Sequence, residues 1–229
     1  MNQIKRMIKK LCPSGVEFKY LWQITVWDKR FSGIDKEKQD KTCSFKHISA
    51  KDLKGLFVSD KASQTNNVKL LATGKFEGYT TEKLAGENLN EGEIITIPSG
   101  GTANLKYYKG KFVDSGNNLA ISKGETINLK FVWYYLLTQK TIIEKCFKGS
   151  AIMHPDMPDI LQIEIPIPPL EIQKKIAETL DTLIEFQDKL IAEAEERRKQ
   201  YGYYRGELLT FRTPPPPVSQ TIKIFVQAA

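Results

Sequence analysis

Apolar or bulky positions recur at alternating steps of four and three along the last third of the chain: Ile176, Leu180, Leu183, Gln187, Leu190, Ala194, Arg197, Tyr201, Tyr204 and Leu208. That heptad-like spacing predicts one long helix with a continuous seam. Pro166, Pro168 and Pro169 cannot sit in a helix interior, but proline is tolerated in a first turn, so the helix is predicted to start near Pro169 or Leu170. Roughly 40 residues at about 1.5 Å each make a rod on the order of 60 Å long. A rod of that length cannot bury its seam against a small domain. It predicts a partner helix.

Upstream the pattern is shorter and more varied. Ile4, Met7, Ile8 and Leu11 stand at helical spacing among lysines, and Cys12-Pro13-Ser14-Gly15 is a stop signal. Val16 to Trp27 is apolar and aromatic enough for a strand or a second short helix. Residues 28–41 are charged and turn-rich, a loop in which Arg30 and its neighbouring lysines are either solvated or face a phosphate backbone. Residues 42–135 read as β structure, with short apolar runs (Leu56–Val58, Val68–Leu71, Glu93–Pro98, Lys106–Tyr108, Leu119–Ile121) between Gly, Asn and Asp clusters. Asn128 to Cys146 carries Phe131, Tyr134, Tyr135, Ile142 and Ile143 at helical spacing and predicts a helix packed on the sheet, its aromatics in the core. A loop from Lys148 through Pro158 leads to the proline-punctuated strand ahead of the rod.

The expected fold class is α+β: a globular domain with a twisted, mostly antiparallel sheet and packed helices, followed by one long coiled-coil helix. The predicted partition is 1–163 for the globular domain, 164–212 for the strand and long helix, and 213–229 for a proline-rich tail expected to be disordered. Four consecutive prolines after Phe211 end the helix.

Charge sharpens this division. The formal charge of +7 is unevenly placed, with 8 Lys+Arg against 9 Asp+Glu over 170–212 and 25 against 18 over 1–169. The globular part therefore carries the positive excess, which suits a polyanionic partner, nucleic acid before membrane surface, or else simple solubility. Cys12, Cys43 and Cys146 are far apart and odd in number, which predicts reduced thiols rather than a disulfide framework. No apolar run approaches the roughly 18 residues of a membrane span, and the basic N-terminus lacks an apolar core of signal-peptide length. A cytoplasmic location is expected.

Catalytic patterns are scarce. Gly74-Lys75 and Gly110-Lys111 lack the upstream glycine of a phosphate-binding loop, and no G-x-G-x-x-G occurs. His47 and His154 lack the close His or Cys spacing of a zinc site. Neither an enzyme nor a cofactor is expected. Two glycine-rich turns carry a binding hypothesis instead. In Ser99-Gly100-Gly101-Thr102-Ala103-Asn104, small residues let backbone N–H groups approach a phosphate, and Ser99, Thr102 and Asn104 can donate hydrogen bonds. In Lys148-Gly149-Ser150, Lys148 supplies a cation. Each also reads as an ordinary turn.

With these residues in view, the chain resembles one half of a specificity subunit of type I restriction-modification systems. The resemblance is strongest over Ile165–Glu185 (IPIPPLEIQKKIAETLDTLIE), where a strand, a Pro-Pro entry, Glu171 and Gln173 precede a long helix ending in KQYGYYRGELLTF (Lys199–Phe211). Upstream, Gly92–Ala103, Asn128–Leu137 and Lys148–Met157 fall in the order of a target recognition domain. The resemblance implies sequence-specific reading of one half of an interrupted site in double-stranded DNA. It also implies docking to modification (methyltransferase) subunits, with a restriction subunit as a further partner, which carry out methylation and cleavage.

For a chain with one recognition domain and one helix, the resemblance further implies a homodimer. Its contacts would run along Ile176, Leu180, Leu183, Gln187, Leu190, Ala194, Tyr201 and Leu208, with Gln187 and Arg197 marking register. The DNA-binding set becomes Ser99, Gly100, Gly101, Thr102, Asn104, Lys106, Lys148, Gly149, Ser150 and His154. A reading of a different class, a non-enzymatic coiled-coil adaptor with incidental positive charge, stands beside it.

Overall fold

The computed structural model describes residues 2–211; the tail at 213–229, expected to be disordered, lies outside the described residues. The chain divides into two compact units, one reaching Thr179 and the other starting at Leu180.

The first unit opens with α1 (Asn2–Leu11), which ends as predicted at Cys12-Pro13-Ser14-Gly15, where Gly15 turns the chain at φ 94°. The ambiguous stretch that follows is strand and helix in turn: β1 (Glu17–Tyr20), α2 (Leu21–Ile24) and β2 (Thr25–Trp27). Local hydrogen bonds make the switch. Tyr20 N donates to Gln23 Oε1 at 2.8 Å to open the turn, and Thr25 Oγ1 donates to the Leu21 carbonyl at 2.6 Å to close it.

After the loop at 28–41 come α3 (Ala50–Gly55), β3 (Val68–Ala72), β4 (Glu77–Thr80), α4 (Glu82–Ala85), β5 (Asn90–Pro98), β6 (Lys106–Ser115) and β7 (Asn117–Ser122). They build a six-stranded sheet in the order β2-β7-β5-β6-β3-β4, antiparallel except for the β3–β6 pair. β6 exchanges partners along its length, pairing with β5 over Lys106–Phe112 and with β3 over Phe112–Ser115.

One expected strand is absent. Leu56–Val58 closes α3, where the Leu56 N–H reaches back to the carbonyls of Asp52 and Leu53. α3 owes its start to Ser49, whose hydroxyl accepts from Asp52 N at 3.1 Å. β4 had escaped prediction because its buried positions are Gly78 and Thr80, a weak apolar signal.

Alternation along the strands distributes the core to both faces of the sheet. Leu70 and Val113 join Leu53, Val68 and Ala85 on one side. Leu71 and Phe112 join Ile94 and Leu119 on the other.

The aromatic segment is two helices, α5 (Leu129–Thr138) and α6 (Lys140–Lys145), rather than one. Asn128 caps α5 by accepting from Phe131 N at 2.8 Å; Phe131 and Tyr134 are buried as expected, with Val132 and Leu136 beside them, while Tyr135 is only half-buried. The break at Gln139 resets the helical phase, so Ile143 is buried while Ile142 stays 52% exposed. The chain then makes a small hairpin, β8 (Phe147–Lys148) and β9 (His154–Pro155), followed by α7 (Met157–Leu161) and β10 (Glu164–Ile167). β10 pairs antiparallel with β1, from Tyr20 opposite Glu164 to Glu17 opposite Ile167.

The long helix is α8, Leu170–Leu208. Its first turns are pinned by Gln173, which is fully buried. Gln173 Oε1 accepts from Asn128 N at 2.8 Å, and Nε2 donates to the carbonyls of Pro168 at 2.7 Å and Thr126 at 3.1 Å. One side chain thus ties the start of α8 to the cap of α5.

In the second unit α8 continues with its apolar stripe in solvent: Leu183 is 58% and Tyr201 66% exposed, and Ile184, Leu190, Ile191, Tyr204 and Leu208 are also exposed. Ile176 and Leu180, earlier on the seam, are half-buried. Arg197 forms a charged pair with Glu193 one turn back at 2.9 Å. Among the described residues no helix is long and apolar enough to cross a membrane.

Candidate functional site

Four connections of the first unit meet at one place: the β3–β4 turn, the β5–β6 loop, the β6–β7 turn and the β8–β9 hairpin. Three features of β5 and its surroundings start the assembly. Ser99, just past the end of β5, donates its backbone N–H (2.9 Å) and its hydroxyl (2.6 Å) to the Gly116 carbonyl. Gly116 sits at φ 79° with the Thr73 methyl 3.1 Å from where a Cβ would stand, so only glycine fits without strain. Asn104, at the far end of the same loop, donates its amide to the carbonyls of Thr73 (3.2 Å) and Gly74 (2.9 Å).

The two glycine-rich turns singled out in the sequence are brought together here. Gly101 N donates to the Met153 carbonyl at 2.8 Å, and His154 Nδ1 donates to the Ser99 carbonyl at 2.7 Å. A carbonyl only accepts, so the second bond fixes the proton on Nδ1. A Cβ on Gly100 would lie 3.3 Å from Ile152 Cγ2 and 3.4 Å from the His154 ring, so this glycine lets the two loops touch. Gly149 takes φ 143°, and a side chain there would collide with the Ile152 carbonyl. The hairpin is closed on itself and then locked onto the β5–β6 loop.

The lysines are employed differently from the open cations the sequence suggested. Lys148 Nζ is 2.6 Å from Asp156 and 3.2 Å from Asp159. Its hydrogen bonds to these two carboxylates push its ammonium up from the usual value and hold Asp156 down. Lys106 Nζ donates to the carbonyls of Ala72 (2.8 Å) and Gly74 (2.9 Å), and burial draws its ammonium below the usual lysine value. Both therefore hold the loops, Lys106 from within and Lys148 at the surface. Ser99, Gly100, Gly101, Asn104, Lys106, Gly149 and His154 all lie in or against the junction, with Lys148 paired to His154 across the hairpin. Thr102 and Ser150 sit exposed on the same two loops.

Sequence reasoning missed Thr73, Gly74, Gly116 and Met153. The only signal for Gly116 was its place in Asp114-Ser115-Gly116-Asn117, a turn-rich run between two strands.

A second polar centre, also missed, lies close by in the fold. His47 stands between two buried carboxylates, Nε2 2.9 Å from Asp28 and Nδ1 2.9 Å from Asp114. Hydrogen bonding to Asp114, then to Asp28, outweighs the desolvation that opposes it and pushes the imidazole up to about 9. Asp114 also accepts from Asn117 N (3.2 Å) and Nδ2 (2.6 Å), and Asp28 accepts from Leu119 N at 3.0 Å. The centre is a charged staple under the β6–β7 turn. Among the described residues no cluster of His, Cys, Asp or Glu has the make-up of a metal site.

Comparison with known proteins gives this arrangement a context. The family model described as "Type I restriction modification DNA specificity domain" matches residues 43–197, which include both loops of the junction. A Haemophilus influenzae chain described as a type I restriction enzyme specificity subunit is 33% identical over 146 residues, covering 58% of this chain and 35% of its own length. The EcoR124I/EcoR124II specificity subunit of Escherichia coli is 29% identical over 160 residues, covering 65% of this chain and 38% of that one. The crystal structure of a type I restriction-modification S subunit from M. genitalium aligns with a TM-score of 0.53 at 20% identity, over 84% of this chain and 46% of that one. The chain thus spans from about a third to just under half the length of these relatives.

Proposed function

This chain belongs to the type I restriction modification DNA specificity family, and from that premise we propose that it reads one half of an interrupted DNA site through the junction of its two glycine-rich loops. The observation that carries the reading is the meeting of those loops through Gly101 N to Met153 O and His154 Nδ1 to Ser99 O. Two stretches about 50 residues apart in sequence form one surface, and hydrogen bonds from both sides hold it rigid. Rigid presentation of polar side chains is what base-edge readout requires. Thr102 and Ser150 supply exposed hydroxyls, Gly100 and Gly101 allow close approach, and Ser99, Asn104, Lys106, Lys148, Gly149 and His154 hold the loops in place. The remaining positive excess of residues 1–169 meets the phosphates, which position the protein without reading sequence.

The exposed stripe of α8 is the second half of the reading. We propose that two copies pair along it through Leu180, Leu183, Gln187, Leu190, Ala194, Tyr201 and Leu208, so that two recognition domains face the two halves of a palindromic interrupted site. The chain then docks modification subunits, to which methylation belongs, while cleavage belongs to a restriction subunit. A coiled-coil adaptor is less favoured, because it has no use for the hydrogen-bonded loop junction.

The test is selection from a pool of randomised duplexes with the full chain and its modification subunits. Enrichment of a bipartite sequence with a fixed spacer is expected. Recovery of an unenriched pool, with binding indifferent to salt, would sink the proposal, because neutralising phosphates releases counterions and makes true DNA affinity fall steeply with salt.

A further inference from the structure

The loop junction contains one group for which neither its folding nor phosphate binding accounts. Ile152 stands at the tip of the β8–β9 hairpin, 61% exposed, with Met153 beside it 39% exposed. An exposed branched aliphatic side chain at the centre of a polar, glycine-rich surface costs solubility and gains nothing for the core. Yet the structure goes to some length to hold it. Gly149 at φ 143° closes the hairpin behind it, Gly101 N bonds to the Met153 carbonyl next to it, and Gly100 has no Cβ where Ile152 Cγ2 lies against the loop. The backbone on either side of Ile152 is held while its side chain is left open to solvent.

The chemistry around it narrows the ligand. Lys148 is neutralised by Asp156 and Asp159, and Lys106 is tied to two carbonyls of the β3–β4 turn, so neither cation is aimed outward. What the junction leaves exposed is the hydroxyls of Thr102 and Ser150 and one aliphatic tip. That mixture suits base edges better than phosphates. In the major groove the one apolar group on a base edge is the 5-methyl of thymine, which is read by contact with an apolar side chain.

We propose that Ile152, supported by Met153, is a specificity-determining residue that reads a thymine methyl group in the major groove. The proposal rests on the DNA-reading function above and assigns one base class to one side chain. It also gives Gly100 a role: a Cβ there would stand 3.3 Å from Ile152 Cγ2 and press on it.

Uracil lacks only that methyl group, so it is the direct probe. The bound sequence is first recovered from randomised duplexes with the full chain. Each thymine of the site is then replaced in turn by deoxyuridine, and affinity is measured for the wild type and for Ile152→Ala. At one thymine of each half-site the wild type is expected to lose about fourfold in affinity, the transfer value of one buried methyl group. Ile152→Ala, which alters both copies, should lose that factor once per half-site on the thymine duplex and show no further loss with uracil at either position. Because Ile152 is exposed, its melting temperature should match the wild type.

Three results would overturn the inference and leave DNA reading intact: a recovered site without thymine, uracil neutral at every position, or equal uracil sensitivity in wild type and variant. Failure to recover any site would overturn the DNA-reading proposal itself and this inference with it.

Discussion

Two carboxylates facing one imidazole is an arrangement that dictates its own pH dependence. His47 is pushed up to about 9 by Asp114 and Asp28, from an unfolded value near 6.5. A folded-state pKa above the unfolded one means the folded protein binds the proton more tightly. The stabilisation is therefore complete below about pH 6.5 and is lost as pH rises through about 9. Melting temperature measured from pH 6 to 10 should fall more steeply for the wild type than for His47→Gln. Parallel curves would show that the staple contributes nothing. Cys43, whose thiol is pushed up to about 11 by burial and then Asp28, adds its own loss of stability above about pH 8.5, but that loss is common to both proteins and cancels in the comparison.

Gln173 is the other residue whose deletion has a calculable cost. Gln173→Leu leaves two carbonyls and one N–H of the Thr126–Asn128 and Pro168 segments without their bonds. At about 1 kcal/mol each, a loss of about 3 kcal/mol in unfolding free energy by chemical denaturation is expected. The resemblance marked Gln173 as part of a signature, and the structure supplies the physical reason. His47 could not be found that way. Its partners stand 19 residues before and 67 residues after it, and no local pattern announces such a contact.

Elements with a long, uninterrupted period were the most legible. The prolines ahead of it locate the start of α8 to within a residue, and the alternating steps of four and three run on to the end of its 39 residues. The break between α5 and α6 leaves no pattern, because it comes from the Gln139 backbone N–H donating to the Leu136 and Leu137 carbonyls, bonds that any residue but proline could make. The strand pattern found β3, β5, β6 and β7, but not that β6 leaves β5 for β3 halfway along. Both glycine-rich turns were legible as turns, whereas their meeting depends on the path of the chain between them.

The stripe on α8 belongs to this scale too. Leu183→Asp with Leu190→Asp places two charges on the proposed pairing face. Sedimentation of the full chain should shift from dimer to monomer. Two monomeric species, in the absence of any modification subunit, would assign the stripe to a different partner.

At the scale of the whole molecule, charge and hydrophobicity are divided along the chain. Residues 1–169 carry the positive excess, and the exposed apolar stripe lies beyond Leu180. One part suits a polyanion and the other a helix, which is the division of labour proposed here. Membership of the specificity family supplies the class of polyanion, and the loop junction supplies the surface. The central claim is that DNA is read at that junction. Amide hydrogen exchange of the full chain, with and without its selected duplex, tests it most directly. Slower exchange is expected over 99–105 and 148–155, with the second half of α8 unchanged. Protection confined to α8, or absent from both loops while the duplex is bound, would contradict it.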